Sequence, residues 1–232
     1  MKRTYSRSVG GQQQHEKQSP LARIGRRGRT QSNLWIFDSP KNVKRLTIAG
    51  DLNFMVCVLL ESDISVAAYK VKPGPYPTVI DDEHTSIVPD LEVEYQHGKR
   101  EWWEIRRSQT QHGKRESSVS PIARAAETAG IGYLQRTEND MVDKAVAFDN
   151  WLLLCAAMTR ARHFPMHHES GVLHNLFEES RTATVGQLLR VATVDRGLMV
   201  ATIARFLQAG RLSAELETTL FCEETVLTAR AV

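Results

Sequence analysis

Apolar and charged residues alternate through "VPDLEVEYQHGKREWWEIRR", residues 88–107, on both sides of His97-Gly98. That period of two predicts a half-buried β-hairpin turning near residue 97. Upstream, "DSPKNVKRLTIAGDLNFMVCVLLES" predicts a helix from about Pro40, with Ser39 as cap and Pro40 at the first helical position. The β-branched run "ISVAAYKVKPGP" predicts a strand ending at Pro/Gly. A short extended piece near Thr78–Ile80 and a polar loop "DDEH" lead into the hairpin. Beyond it, "SQTQHGKRESSVS" is a polar loop. In "SPIARAAETAGIGYLQRTE", Ser120 and Pro121 start a helix, Gly130 ends it, and "IGYLQRT" follows as a strand, the crossover expected of a mixed sheet. "DKAVAFDNWLLLCAAMTRARHF" is then a long helix with an apolar stripe of Val146, Trp151, Leu152, Cys155 and Met158, which reads as core packing.

Past Pro165 the pattern turns helical: "GVLHNLFEES", "TVGQLLRVA" and "DRGLMVATIARFLQAG". Two short segments of β-type composition follow in "RLSAELETTLFCEETVLTAR". Three helices and a terminal hairpin resemble a winged helix. The expected organisation is a tail over 1–36, an α/β domain over 37–165 and a small C-terminal domain over 170–232. "QHGKRE" occurs at 96–101 and again at 111–116, a spacing too short for a structural repeat.

Charge changes the picture only at the N-terminus. Residues 1–36 hold eight Lys/Arg against Glu16 alone, a net of +7, so the remainder of a chain of net +3 is acidic. Such a polar, basic segment cannot bury a core and is expected to be disordered when free. Its cluster "ARIGRRGR", with Arg23, Arg26, Arg27 and Arg29, suits DNA phosphates. A solubilising leader is the plainer alternative. No apolar run is long enough for a membrane span, and the N-terminus lacks a secretory core, so a cytoplasmic protein is expected. Cys57, Cys155 and Cys222 show no zinc spacing and read as reduced residues.

Candidate chemistry lies in the hairpin. A turn at residue 97 sets Asp90 opposite Glu104, which would bring their Cβ atoms ~5 Å apart. Glu104 and Arg106, two apart, share a face. Two facing carboxylates repel unless a cation separates them, and Mg²⁺ is the natural occupant. Trp102 and Trp103 project to opposite faces, one toward a core and the other available to stack on a base or partner. "RARHFPMHHESG" groups His163, His167 and His168, though Pro165 interrupts them and a polar linker explains them as well.

At "VPD…WWEIR" the chain resembles the PD-(D/E)-x-K nucleases. Val66, Tyr69, Pro73, Pro89, Asp90, Asn150 and Leu154 follow the order and spacing of TnsA-like proteins, the endonuclease subunits of cut-and-paste transposons. That resemblance covers about residues 40–225. It implies a restriction-endonuclease-like mixed sheet flanked by helices, with a winged-helix-like C-terminal part. It further implies transposon-end DNA as ligand, Mg²⁺ held by Asp90 and Glu104, and cleavage of the 5′ strand. The implied partners are a DDE transposase and an ATP-dependent regulator. In the implied C-terminal part, Arg196, Arg205 and Arg211 can reach backbone phosphates.

Two positions depart from the family. Arg106 stands where the family has lysine, and arginine stays charged where lysine can shed its proton. Asn53 falls where the leading helix carries a catalytic Glu; Asp51 can serve only if the alignment shifts. Lys70 or Lys72, on the neighbouring strand, can substitute for the missing lysine. Three readings stay open: an active nuclease, a non-catalytic DNA-binding or assembly factor on the same fold, and a winged-helix transcriptional regulator.

Overall fold

A computed structural model describes residues 33–80, 83–106 and 119–230. Arg23, Arg26, Arg27 and Arg29 lie outside the described residues, as does the stretch 107–118. The chain opens with a hairpin, β1 (Leu34–Ser39) and β2 (Lys44–Ala49), where a helix from Pro40 was expected. The reason is legible afterwards: Leu46 and Ile48 alternate with exposed neighbours and face inward with Phe37. Ser39 and Pro40 start the turn rather than a helix, and Leu34–Ile36, assigned to the tail, belong to β1. Helix α1 begins only at Asp51 and runs to Ser62, after Gly50 takes a φ of 93° that a side chain would resist.

The central sheet has the order β3 (Val66–Val71), β6 (Leu91–Tyr95), β7 (Arg100–Arg106), β8 (Gly132–Thr137). Its first three strands are antiparallel, whereas β8 runs parallel to β7. Parallel pairing needs a crossover, which α2 (Pro121–Thr128) supplies. Ser120 caps α2 by accepting from the Ile122 N–H, and Pro121 sits at its first turn, as the sequence predicts. A Cβ on Gly132 would fall 2.7 Å from the Glu101 side chain, so a larger residue there would force Glu101 to shift. The mixed α/β architecture, a mixed sheet flanked by helices, is therefore as expected. The piece near Thr78–Ile80 is strand β4 (Tyr76–Ile80), and it pairs with β5 (Glu83–Ile87). Glu83 and His84, read as loop, lie within that second strand.

After a 3₁₀ turn, Glu138–Lys144, the long helix is α3 (Ala145–Arg160). There follow α4 (His167–Glu179), β9 (Thr182–Thr184), α5 (Val185–Leu189), α6 (Arg196–Gln208), β10 (Leu212–Ser213) and β11 (Val226–Ala229). The last three strands form a small sheet with β11 in the middle, between β10 and β9.

One cluster of buried apolar side chains runs from Phe37 to Leu227 and takes in α1, α3, α6 and one face of the sheet. A smaller cluster on the opposite face holds Ile87, Trp102, Ala125 and Ala126. Buried polar groups tie distant segments together. Asn150 on α3 donates to the carbonyls of Leu216 and Thr219 and accepts from the Phe221 N–H. Among the described residues no helix is long and apolar enough to cross a membrane.

Candidate functional site

Pairing between β6 and β7 runs from Glu94↔Arg100 to Leu91↔Trp103. Asp90 and Glu104 come next along the two strands, just past the last paired residues. The ladder is irregular at this step. Asp90 donates its N–H to the Trp103 carbonyl at 3.0 Å, while its carboxylate accepts the Ile105 N–H at 2.7 Å. The other carboxylate oxygen of Asp90 is ion-paired with Lys72, just past the end of β3.

Glu104 is as fully engaged. Arg106 reaches one of its oxygens at 2.8 Å, so the two residues share a face. The Ser120 hydroxyl at 2.6 Å and the Tyr133 hydroxyl at 2.7 Å donate to the other. Ser120 thus caps α2 with its own oxygen and anchors that cap to the sheet with its proton. Burial opposes ionisation of Glu104, but the bonds from Ser120, Tyr133 and Arg106 outweigh it and hold the carboxyl below its usual value. Tyr133 is pushed up to about 12 by burial and by the carboxylate it serves.

A third acid belongs to the same face. Glu92, 4% exposed, pairs with Lys70 at 2.7 Å and accepts from Tyr76 at 2.7 Å and Trp102 at 3.3 Å. Here too the donors outweigh burial and lower the carboxyl. Tyr76 stacks on Trp102 with ring centroids 4.8 Å apart, so the β4–β5 hairpin closes over this row. The arrangement is three carboxylates, each neutralised by its own cation: Asp90 by Lys72, Glu92 by Lys70, Glu104 by Arg106.

Asn53 does not join them. It sits in the first turn of α1, whose apolar residues pack in the main core, and its amide nitrogen donates to the Ala49 carbonyl at 2.7 Å. Its Oδ1 is buried without a hydrogen-bond partner. Asp51 is bound instead by Asn33 and Trp35. Both tryptophans of the hairpin are buried, Trp102 in the smaller cluster and Trp103 in the main core, so neither offers the open stacking face expected of one of them.

Arg196 is ion-paired with Glu223 at 2.6 Å, and Arg211 lies over the Phe206 ring at 5.4 Å. Arg205 is exposed in the last turn of α6. The three arginines do not converge with Asp90 and Glu104 through any hydrogen bond or ion pair among the described residues. The histidines find separate partners: His163 beside Arg162, His168 beside Thr193. No group of three metal-ligating side chains occurs among the described residues.

The sequence pointed to Asp90, Glu104 and Arg106, and named Lys70 and Lys72 as neighbours. It missed Glu92, Ser120 and Tyr133. Glu92 was visible in principle, two positions from Asp90 in the alternating pattern. Tyr133 was not, because the register of a parallel pair is set by the packing of α2 and not by a turn.

The depressed carboxyls carry a testable pH dependence. A lowered folded value contributes stability that is complete above the ordinary value of 4.5 and is lost as pH falls through the folded value. Denaturation midpoints should therefore drop as pH falls from about 5 toward about 3. Glu92→Gln and Glu104→Gln should each flatten that slope, and an unchanged slope in both would refute the assignment. No protein-family model and no curated protein matches the chain.

Proposed function

We propose that the chain is a TnsA-like protein of DNA transposition that holds transposon-end DNA on a restriction-endonuclease-like core, its acid pair serving as an ion-paired clamp and not as a cleavage centre. The core order supports the fold reading: a helix, three antiparallel strands, a helix, then a strand parallel to the third. The C-terminal order of helix, strand, two helices and two strands, with the last strand between the other two, supports a winged-helix-like part. DNA as ligand rests on the basic N-terminal segment, and the DDE transposase and ATP-dependent regulator rest on the family resemblance.

One observation carries the non-catalytic reading. All four carboxylate oxygens of Asp90 and Glu104 already hold a donor: Lys72, the Ile105 N–H, Arg106, and the Ser120 and Tyr133 hydroxyls. Mg²⁺ does not fit this donor set as it stands. It prefers oxygen ligands and keeps several waters, whereas here ammonium, guanidinium and hydroxyl groups occupy the ligand positions. Metal-dependent cleavage of the 5′ strand is the second reading, and the Lys72 contact with Asp90 favours it, because it restores a lysine beside the acids.

Full-length protein incubated with supercoiled plasmid and Mg²⁺ or Mn²⁺ separates the two readings. The expected result is bound but intact DNA. Nicking that Asp90→Ala abolishes would establish the enzyme, and absence of DNA binding at about 50 mM salt would remove the DNA reading altogether. Removal of residues 1–30 should weaken DNA binding and flatten its dependence on salt, since fewer counterions are released. An unchanged salt slope would assign DNA contact elsewhere.

A further inference from the structure

Helix α3 buries Phe148, Trp151, Leu154, Cys155 and Met158 on one side. Its other side presents Asp149, Leu153, Ala156 and Arg160, all exposed, with Leu153 at 50%. At 100° per residue these four form a straight stripe, with Leu152 and Ala157 on its shoulders. The stripe lines an open groove of about 990 Å³, whose far wall includes Leu198 and Val200 of α6. Phe164, 60% exposed, also lines the groove. Neither the Asp149 nor the Arg160 side chain has a hydrogen bond or ion pair among the described residues. Partial desolvation in the groove nonetheless pushes the Asp149 carboxyl up.

The spacing of these residues has a symmetry of its own. Laid antiparallel against a copy of itself about a midpoint between Leu154 and Cys155, α3 meets Arg160 with Asp149, Ala156 with Leu153, and Ala157 with Leu152. Every large side chain faces a small one, and every charge faces its opposite, at both ends. The two charges lie ~16 Å apart along the axis, too far to pair within one helix. A two-fold interface requires this kind of self-complementary patch, in which residue i meets j and j meets i.

We infer that the α3 groove is a homodimer interface in which α3 packs antiparallel on α3 of a second copy, with Asp149 of each protomer paired to Arg160 of the other. Leu152 and Leu153 fill the positions that Ala156 and Ala157 leave open, and the α6 wall flanks the crossing.

Sedimentation equilibrium of the full-length protein tests this. The wild type should dimerise reversibly at micromolar concentration. Asp149→Arg alone, or Arg160→Asp alone, sets like charges together at both ends and should weaken the dimer by about tenfold or more. The double variant Asp149→Arg/Arg160→Asp should return affinity to within about threefold of wild type, since only a self-pairing interface is repaired by exchanging its charges. Leu153→Asp should abolish the dimer. All three positions are exposed, so unchanged circular dichroism and melting confirm that the variants fold. A wild type monomeric at about 100 μM, or a double variant no better than the single ones, would overturn the proposal.

Discussion

Glu61→Ala is expected to lower the unfolding free energy by about 3–5 kcal/mol, the largest loss expected of a single substitution in this fold. Glu61 is the last buried residue of α1 and is 0% exposed. Its carboxylate accepts from the Ser39 hydroxyl, the Lys41 N–H at 2.9 Å, the Tyr69 hydroxyl at 2.7 Å and the Gln208 amide at 2.9 Å. Those donors come from the β1–β2 turn, from β3 and from α6, so one side chain fastens four segments. Truncation leaves the donors buried without an acceptor and opens a void among apolar neighbours, and both effects act in the same direction. Burial also holds the Tyr69 hydroxyl firmly protonated, so it stays a donor that loses its Glu61 acceptor. For a chain of this size the loss corresponds to a fall in melting temperature of about 10 °C or more. Glu61→Gln keeps the volume and one acceptor and should cost clearly less. Calorimetry that finds Glu61→Ala within about 1 kcal/mol of wild type would show that the cluster contributes little.

Glu104→Ala ranks second, with an expected loss of about 2–4 kcal/mol. The carboxylate is 13% exposed and leaves behind Arg106, Ser120 and Tyr133. Arg106 can turn to solvent, being 48% exposed. Ser120 cannot, since it is buried at the start of α2. The damage should therefore concentrate at the α2 N-terminus, where amide exchange of the first helical turn reports it directly. Exchange raised evenly over the whole sheet, with no excess at α2, would argue against Glu104 as the anchor of that cap. The same variant also informs on function. If Glu104 is a clamp, DNA binding by the folded protein survives its removal. If it is a metal ligand, any nicking activity disappears with it.

The hairpin of β6 and β7, the α2 crossover with its Ser-Pro start and glycine stop, and the long α3 were legible because each rests on local rules. Alternation, capping and punctuation act within a few residues. The N-terminal error is of the same local kind. "KRLTIA" has a period of two, but its neighbours include Pro40 after Ser39, the usual sign of a helix start. The competing tertiary factor was Phe54, which Trp35 stacks against at 4.4 Å and Phe37 meets edge-on at 5.8 Å. Pairing β1 to β2 puts both aromatic rings against α1, and a helix from Pro40 would have discarded that contact.

The candidate site divides along the same line. Asp90 and Glu104 could be placed toward adjoining strands of one hairpin by counting back from a tight turn. The donors that occupy them could not. Lys72, just past the end of β3, lies eighteen residues upstream of Asp90, and Tyr133, on β8, twenty-nine downstream of Glu104. A plausible metal pair thus became an ion-paired row only once the neighbouring strands were in place.

By itself the sequence determined most of the elements and their order, the acidic residues of the hairpin and the split between a basic leader and an acidic remainder. These follow from composition and from periodicities that the backbone imposes over one or two turns. Only the tertiary structure decided which cation meets which carboxylate, that Asn53 stands apart from them, and which side of α3 is left uncovered. Those outcomes depend on close packing between segments far apart in the chain, where a single residue of register exchanges one partner for another.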